Sequence, residues 1–200
     1  MTLNTIEPSG KTPYKMRIGL ISDTHTELED GSDLPKQVLE TLTGLDLIIH
    51  CGDLDTLGVL DRLEEVAPVL AVRGYRDPRD SSDRLAESTR VIEAGGLSIG
   101  VIHDIRWPGI KVGLQSFWQF PDTPMEEILT SKFGKYVDIV AFGDTHEETV
   151  AYHQGVMLVN PGSPTRPGLR HPKGEMGTLG ILEIRDKVAA VELVKLKGWL

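Results

Sequence analysis

Apolar residues in this chain fall in short runs, and the first clear run sets the theme for the others. Ile18-Gly-Leu-Ile21 passes directly into Ser-Asp-Thr-His, so hydrocarbon gives way to a carboxylate, Asp23, and an imidazole, His25. A short apolar run bounded by polar residues predicts a buried strand. Residues two apart in an extended chain project from one face, so Asp23 and His25 are able to converge on one point. Leu34, Val38, Leu39 and Leu42 then recur at helical spacing, and Gly44 ends the stretch. Leu45 to His50 predicts a second strand. Val59 to Val66 predicts a second helix with Asp55 and Thr56 as caps. Val69 to Val72 predicts a third strand, running into Arg73-Gly-Tyr-Arg-Asp77. Strands alternating with helices at this spacing build a parallel sheet. Ligands of such open sheets bind beyond the carboxyl ends of the strands, where Asp23, His25, Asp53 and residues 73–77 all fall.

The second half of the chain is patterned differently. Arg90 to Glu93 and Leu97 to Ile102 flank Ala94-Gly-Gly96 and predict a hairpin whose second strand ends in His103-Asp104. Pro121 to Phe133 holds one helix, and Val137 to Phe142 predicts a strand followed by Gly143-Asp-Thr-His146. Two further hairpins turn at Gln154-Gly155 and at Arg185 to Lys187. Parallel units followed by antiparallel hairpins predict two sheets packed face to face with helices outside.

Composition narrows the class. Two hundred residues with 40% apolar and 26% charged content suit one ordinary globular domain. A formal charge of −9 argues against general nucleic-acid binding or an anionic membrane surface. It leaves an anionic substrate open, because a bound metal reverses the local field. No run approaches the roughly 18 apolar residues a membrane helix needs. Residues 1–15 are polar and lack the apolar middle of a signal peptide; they are expected as a disordered leader before a domain spanning 16–200. The single cysteine, Cys51, allows no internal disulfide and favours a reducing, cytoplasmic setting.

Asp23, His25, Asp53, His103, Asp144 and His146 share one description: each lies just past an apolar strand, in a loop with a small residue nearby. Any one alone is ordinary loop chemistry. Six of them from four segments, in a chain with six histidines in all, predict a metal centre. Mixed nitrogen and oxygen donors suit a divalent transition metal. Of the other histidines, His50 reads as a satisfied semi-buried residue, His153 as part of a turn and His171 as part of a polar loop.

These motifs together, Asp-Thr-His (23–25), Gly-Asp (52–53), Arg-Gly-x-x-Asp (73–77), His103, Gly-x-Thr-His (143–146) and Asn-Pro-Gly-Ser (160–163), resemble the calcineurin-like metallophosphoesterases. The resemblance covers nearly all of residues 16–195. It is greatest to the small phosphodiesterase branch, which includes bacterial and archaeal phosphodiesterases and the retromer subunit of the same fold. It implies a four-layer α/β/β/α sandwich of two mixed sheets with flanking helices, the metallo-dependent phosphatase-like fold. It also implies two divalent metal ions, manganese or else iron, zinc or nickel, and hydrolysis of a small phosphoester by a metal-bridging hydroxide, most naturally a phosphodiester. Carried over by position, Asp23, His25, Asp53 and His146 make the first metal site. Asp53 bridges to a second site that includes His103 and Asp144.

Three positions depart from the family pattern: Tyr75 stands where Asn is usual, Asp144 where His is usual, and Asp104 where Gly is usual. A carboxylate at 144 is still a ligand type, whereas a phenol of pKa about 10 is a poor one. Arg76 holds the place where larger members carry a catalytic His. A guanidinium does not lose its proton, so Arg76 reads either as a clamp on phosphate oxygen or as a solvated loop charge. Arg166, Arg170, His171 and Lys173 form a basic run that reads equally as phosphate attraction or as a solvated loop.

Segment 104–121 holds Trp107, Phe117, Trp118 and Phe120, four of the chain's seven Trp and Phe residues. It reads as a substrate wall, as a homo-oligomer interface or as a loop with its own small core. A second function stays open beside hydrolysis: a non-catalytic scaffold of the same fold with a degenerate second metal site.

Overall fold

A computed structural model describes residues 3–6, 15–79, 84–106, 109–113 and 117–199. Its elements run β1 (Leu3–Ile6), β2 (Lys15–Ile21), α1 (Lys36–Leu42), β3 (Leu47–His50), α2 (Gly58–Glu64), β4 (Val69–Ala71), β5 (Thr89–Ala94) and β6 (Leu97–Ile102). After these come β7 (Lys111–Gly113), β8 (Phe117–Gln119), α3 (Met125–Phe133), β9 (Ile139–Ala141), β10 (Thr149–His153), β11 (Val156–Asn160), β12 (Thr178–Arg185) and β13 (Val188–Lys195). One sheet has the order β13-β12-β2-β3-β4, the other β1-β5-β6-β9-β11-β10, and β7 pairs with β8. Both large sheets are mixed. β2, β3 and β4 run parallel while β12 and β13 are antiparallel. β6, β9 and β11 run parallel, β5 is antiparallel to β6 but parallel to β1, and β10 is antiparallel to β11.

Strand periodicity sorts the core into three layers. Met16, Ile18 and Leu20 of β2, with Leu47 and Ile49 of β3, face Ile99, Val101, Ile139 and Val159 of the other sheet. The alternate residues Ile21 and Ile48 join Val38 and Leu42 of α1 and Leu60 and Leu63 of α2 outside the first sheet. Val140 and Leu158 join Ile128, Leu129 and Phe133 of α3 outside the second. Strands covered on both faces read as continuous apolar runs, which is why the sequence shows no alternation there. The result is four layers: α1 and α2, sheet, sheet, α3.

Turn chemistry agrees with the predicted hairpins. Gly95-Gly96, Gln154-Gly155 and Asp186-Lys187 each take positive φ at both positions, the two-residue geometry that suits strand twist. Gly134 caps α3 at φ 76°, its N–H donating to Thr130 O at 2.8 Å.

Three expectations change. α1 begins at Lys36 rather than Leu34, because Pro35 stays extended at ψ 131°. α2 has Leu57 at its N-cap with no side-chain cap bond; Asp55 and Thr56 serve elsewhere. Leu3–Ile6, inside the stretch expected as a leader, pairs in parallel with Val91–Ala94, and the rest of the leader up to Tyr14 lies outside the described residues.

In segment 104–121, Trp107 likewise lies outside them. Trp118 stacks on Phe120 and meets Phe142 edge-on, and Phe120 stacks on His153 with centroids 3.6 Å apart. These aromatics build a small core over the outer face of the second sheet. Among the described residues no helix is long and apolar enough to cross a membrane.

Candidate metal centre

The parallel strands of both sheets end on one side of the molecule, and the loops that leave them meet there. Main-chain bonds continue past the strands and lock these loops together. Asp23 N–H donates to Gly52 O at 3.0 Å, His25 N–H to Asp53 O at 3.2 Å and Gly143 N–H to His103 O at 2.9 Å. Five of the six predicted ligands sit in the left-handed region: Asp23 (φ 54°), His25 (43°), Asp53 (56°), Asp144 (68°) and His146 (58°). Side-chain-bearing residues reach that region at a cost of about 1–3 kcal/mol each, and such residues cluster at functional sites. Here the turns bring each side chain back over its strand end.

Two glycines make room. A Cβ on Gly74 would lie 2.2 Å from Asp53 Oδ1, and one on Gly143 would lie 1.9 Å from Ser22 Oγ and 2.7 Å from Asp23 Oδ2. Asp77, the last residue of the Arg-Gly-x-x-Asp motif, is spent on the backbone. Its two oxygens accept from the amides of Asp53, Leu54, Asp55 and Gly74 at 2.7–3.1 Å. Asn160-Pro-Gly-Ser163 is scaffolding of the same kind. Asn160 Nδ2 donates to Gly143 O and Ser163 Oγ donates to Asp23 O, at 2.9 and 2.7 Å.

The three site imidazoles share one tautomer. His25 Nδ1 is 3.0 Å from Asp55 Oδ1, His103 Nδ1 is 2.9 Å from Cys51 O, and His146 Nδ1 bonds Arg166 O. Ionised carboxylates and carbonyls only accept, so each Nδ1 carries a hydrogen, and in the neutral form that a metal ligand requires each ring turns a bare Nε2 inward. That is the arrangement of metal-ligating histidines, whose far nitrogen is held by an oxygen. Nε2 of His25 and Nε2 of His146 lie 3.2 Å apart. Asp23 Oδ1 lies 4.0 Å from the first and 3.5 Å from the second. Asp23 Oδ1 is buried with no hydrogen-bond partner, as is His103 Nε2. Lone pairs facing one another without a proton between them repel. A divalent cation among them removes the conflict, so these residues fit a metal ion.

Among the described residues, two overlapping donor groups are close enough to hold an ion: Asp23, His25 and His146, and Asp23, Asp53 and His103. Asp53 stands between them, with Oδ2 3.9 Å from His25 Nε2 and Oδ1 3.4 Å from His103 Nε2. Without a cation the titrations are displaced. Burial pushes Asp23 up to about 7 against the pull of His103. Burial would depress His103, but Asp53 beside it and the charge of Asp23 lift it to about 9. Asp53 is pushed up by burial, but its contacts with His103 and the Arg76 amide outweigh this and hold it near 2.

Asp144 stands apart from both donor groups. Its amide donates to Asp23 Oδ2 at 3.1 Å, but its carboxylate contacts the Arg106 guanidinium, and Oδ1 is 3.9 Å from His103 Nε2. Arg76 lies at the rim, its side chain 58% exposed, with Nε donating to Asp55 Oδ2 at 3.1 Å. The basic run is largely neutralised: Arg170 and His171 pair with Glu147 and Glu148, and Arg166 with Glu27. What that run contributes to the site is the Arg166 carbonyl behind His146.

His50 is fully buried, its Nδ1 accepting from Gly52 N–H and its Nε2 near Thr24 Oγ1, so it is satisfied and outside the donor set. Sequence reading missed Asp55 and Arg106. The first was hidden by its position ahead of a helix, where carboxylates cap. The second lies in a segment whose path no local pattern reveals.

Comparison with known proteins places the whole domain in a family. The family description "Calcineurin-like phosphoesterase superfamily domain" matches residues 16–187. A Methanocaldococcus jannaschii protein named as a probable metallophosphoesterase is 34% identical over 88% of this chain and 79% of its own length. A phosphodiesterase of the same organism is 23% identical over 74% of this chain and 83% of its own. Among solved structures, Vacuolar Protein Sorting 29 from Cryptosporidium parvum superposes with a TM-score of 0.65 at 18% identity, covering 92% of this chain and all of that one. By its motifs, its two-sheet fold and these matches, the chain belongs to the calcineurin-like phosphoesterase superfamily.

Proposed function

We propose that this protein is a metal-dependent hydrolase of small phosphodiesters, working at the strand-end cluster of Asp23, His25, Asp53 and His146. The observation that carries the reading is the facing pair of bare nitrogens, His25 Nε2 and His146 Nε2, 3.2 Å apart beside the unpartnered Asp23 Oδ1. The superfamily implies divalent metal ions, and nitrogen–oxygen donor sets of this kind suit manganese, iron, zinc or nickel. A bound divalent ion supplies a nucleophile at neutral pH and polarises a phosphoryl oxygen.

The chain's own residues do the rest. Asp55, Cys51 O and Arg166 O hold the three imidazoles in the tautomer that presents Nε2. Asp77 and Gly74 fix the loop that carries Asp53. Hydrolysis makes a bond from water oxygen to phosphorus and breaks the bond to the leaving oxygen, which then takes up a proton. Arg76 is placed to attract the substrate phosphate from the rim but not to donate that proton. The reading carries with it a reducing, cytoplasmic setting, resting on the single buried Cys51.

The scaffold alternative draws on Tyr75 and Asp144, which depart from the family pattern on one side of the centre only. The two are separated by turnover of an activated aryl phosphodiester by protein stripped of metal and reloaded with manganese, for the wild type and for Asp53→Ala. Hydrolysis that depends on manganese and falls by at least about a hundredfold in the variant, the scale on which losing one charge-stabilising group acts, is expected. Turnover indifferent to the substitution, or none at all, contradicts the proposal.

A further inference from the structure

Tyr75, Asp104 and Asp144, the three positions that depart from the family pattern, are separated in sequence but form one connected group. Arg106 is at its centre. Arg106 Nε donates to Asp104 Oδ1 at 2.9 Å and Nη2 to Asp104 Oδ2 at 3.1 Å, while Nη2 also contacts Asp144 Oδ2. Tyr75 Oη donates to the same Asp104 Oδ2 at 2.7 Å, and its ring stands edge-on to His103 with centroids 5.5 Å apart.

We propose that Arg106 takes the place of the second cation of the family's centre, so that this chain holds one divalent ion, at Asp23, His25, Asp53 and His146. The inference rests on the metal-dependent reading above. A second ion on the His103 side would find few donors. Asp23 and Asp53 are shared with the first group, and Asp53 Oδ1 already accepts the Arg76 amide at 2.9 Å. Tyr75 is 71% exposed and gives its hydroxyl hydrogen to Asp104, so it is a neutral phenol whose hydroxyl is committed outside the donor groups. Asp144 is committed to the guanidinium. Among the described residues, His103 is then the only donor the second ion would not share.

Recruiting Asp144 would strip Arg106 of a partner and set a permanent cation beside a divalent one, an unfavourable like-charge contact. A guanidinium cannot deprotonate to relieve it. The substitutions are thus mutually consistent. Asp104 aims Arg106, Asp144 receives it, and Tyr75 closes the flank where a further ligand would stand.

The test is metal stoichiometry, read independently of turnover. Protein stripped with chelator is reloaded with manganese, freed of excess by gel filtration, and analysed for metal per chain and by electron paramagnetic resonance. The wild type is expected to hold one ion with the hyperfine pattern of isolated manganese. Arg106→Met, which keeps length and removes charge, is expected to hold two with the spectrum of a coupled pair. Asp144→Ala is expected to keep the single ion at unchanged affinity, and it decides the matter if the first variant does not fold. Two ions in the wild type, one ion in a folded Arg106→Met, or loss of the ion from Asp144→Ala overturns the proposal. Activity is scored separately. One ion without phosphodiester turnover contradicts the proposed function and leaves Arg106 as assigned, whereas two ions with turnover do the reverse.

Discussion

Asp55 divides its carboxylate between two tasks: Oδ1 holds His25 Nδ1 at 3.0 Å, and Oδ2 accepts from Arg76 Nε at 3.1 Å. It therefore sets both the tautomer of a candidate ligand and the position of Arg76 at the rim of the site. Replacing it by Asn keeps the shape but removes the charge that raises imidazole basicity. Carboxylates behind metal-bound histidines are worth about 10–100-fold in affinity. Asp55→Asn is expected to weaken manganese binding by that factor in calorimetric titration, with folding unchanged; unaltered affinity would show that His25 does not depend on it. The residue also marks a limit of sequence reading. A carboxylate just ahead of a helical run follows the capping pattern, and only its φ of 67° and its contact with His25 show its use. The six strand-end residues were legible because each interrupts an apolar run. That Asp144 turns to Arg106 was not, because the partner arrives from a loop no pattern predicts.

Strand β3 shows what an element contributes beyond carrying a ligand. Its last residue, His50, is fully buried in a neutral tautomer that accepts from Gly52 N–H, and burial drives its pKa from 6.5 down to about 3. The folded state thus binds a proton there less readily than the unfolded chain. Stability is fully present above pH 6.5 and is lost as pH falls from 6.5 toward 3, by an amount on the order of a few kcal/mol. The urea midpoint should drop steeply across that window, and more shallowly in His50→Gln. Parallel curves for the two proteins would remove His50 from the account.

At this scale the sequence served well wherever an element is made by its own residues. The β2–α1–β3–α2–β4 alternation and the three hairpins were readable from period and turn chemistry. β1, β7 and β8 were not. They are strands of three or four residues, β1 is defined by a partner some ninety positions away, and nothing in their own pattern distinguishes them from loop.

The whole molecule brings the carboxyl ends of two sheets to one side, and that convergence creates the site. No single strand end could do so. β2 and β3 supply Asp23, His25 and Asp53 from one sheet, and β6 and β9 supply His103 and His146 from the other. The pairing of the sheets could not be read from periodicity, which is blind to which strands become neighbours; the family resemblance anticipated it, and the interleaved core of Leu20, Ile49, Val101 and Ala141 explains it. The central claim is that the facing nitrogens of His25 and His146 enclose a cation with Asp23 and Asp53. The measurement that meets it most directly is an anomalous difference map from a crystal soaked in manganese. A peak bounded by those four side chains is expected; no anomalous density between His25 and His146 would contradict the claim.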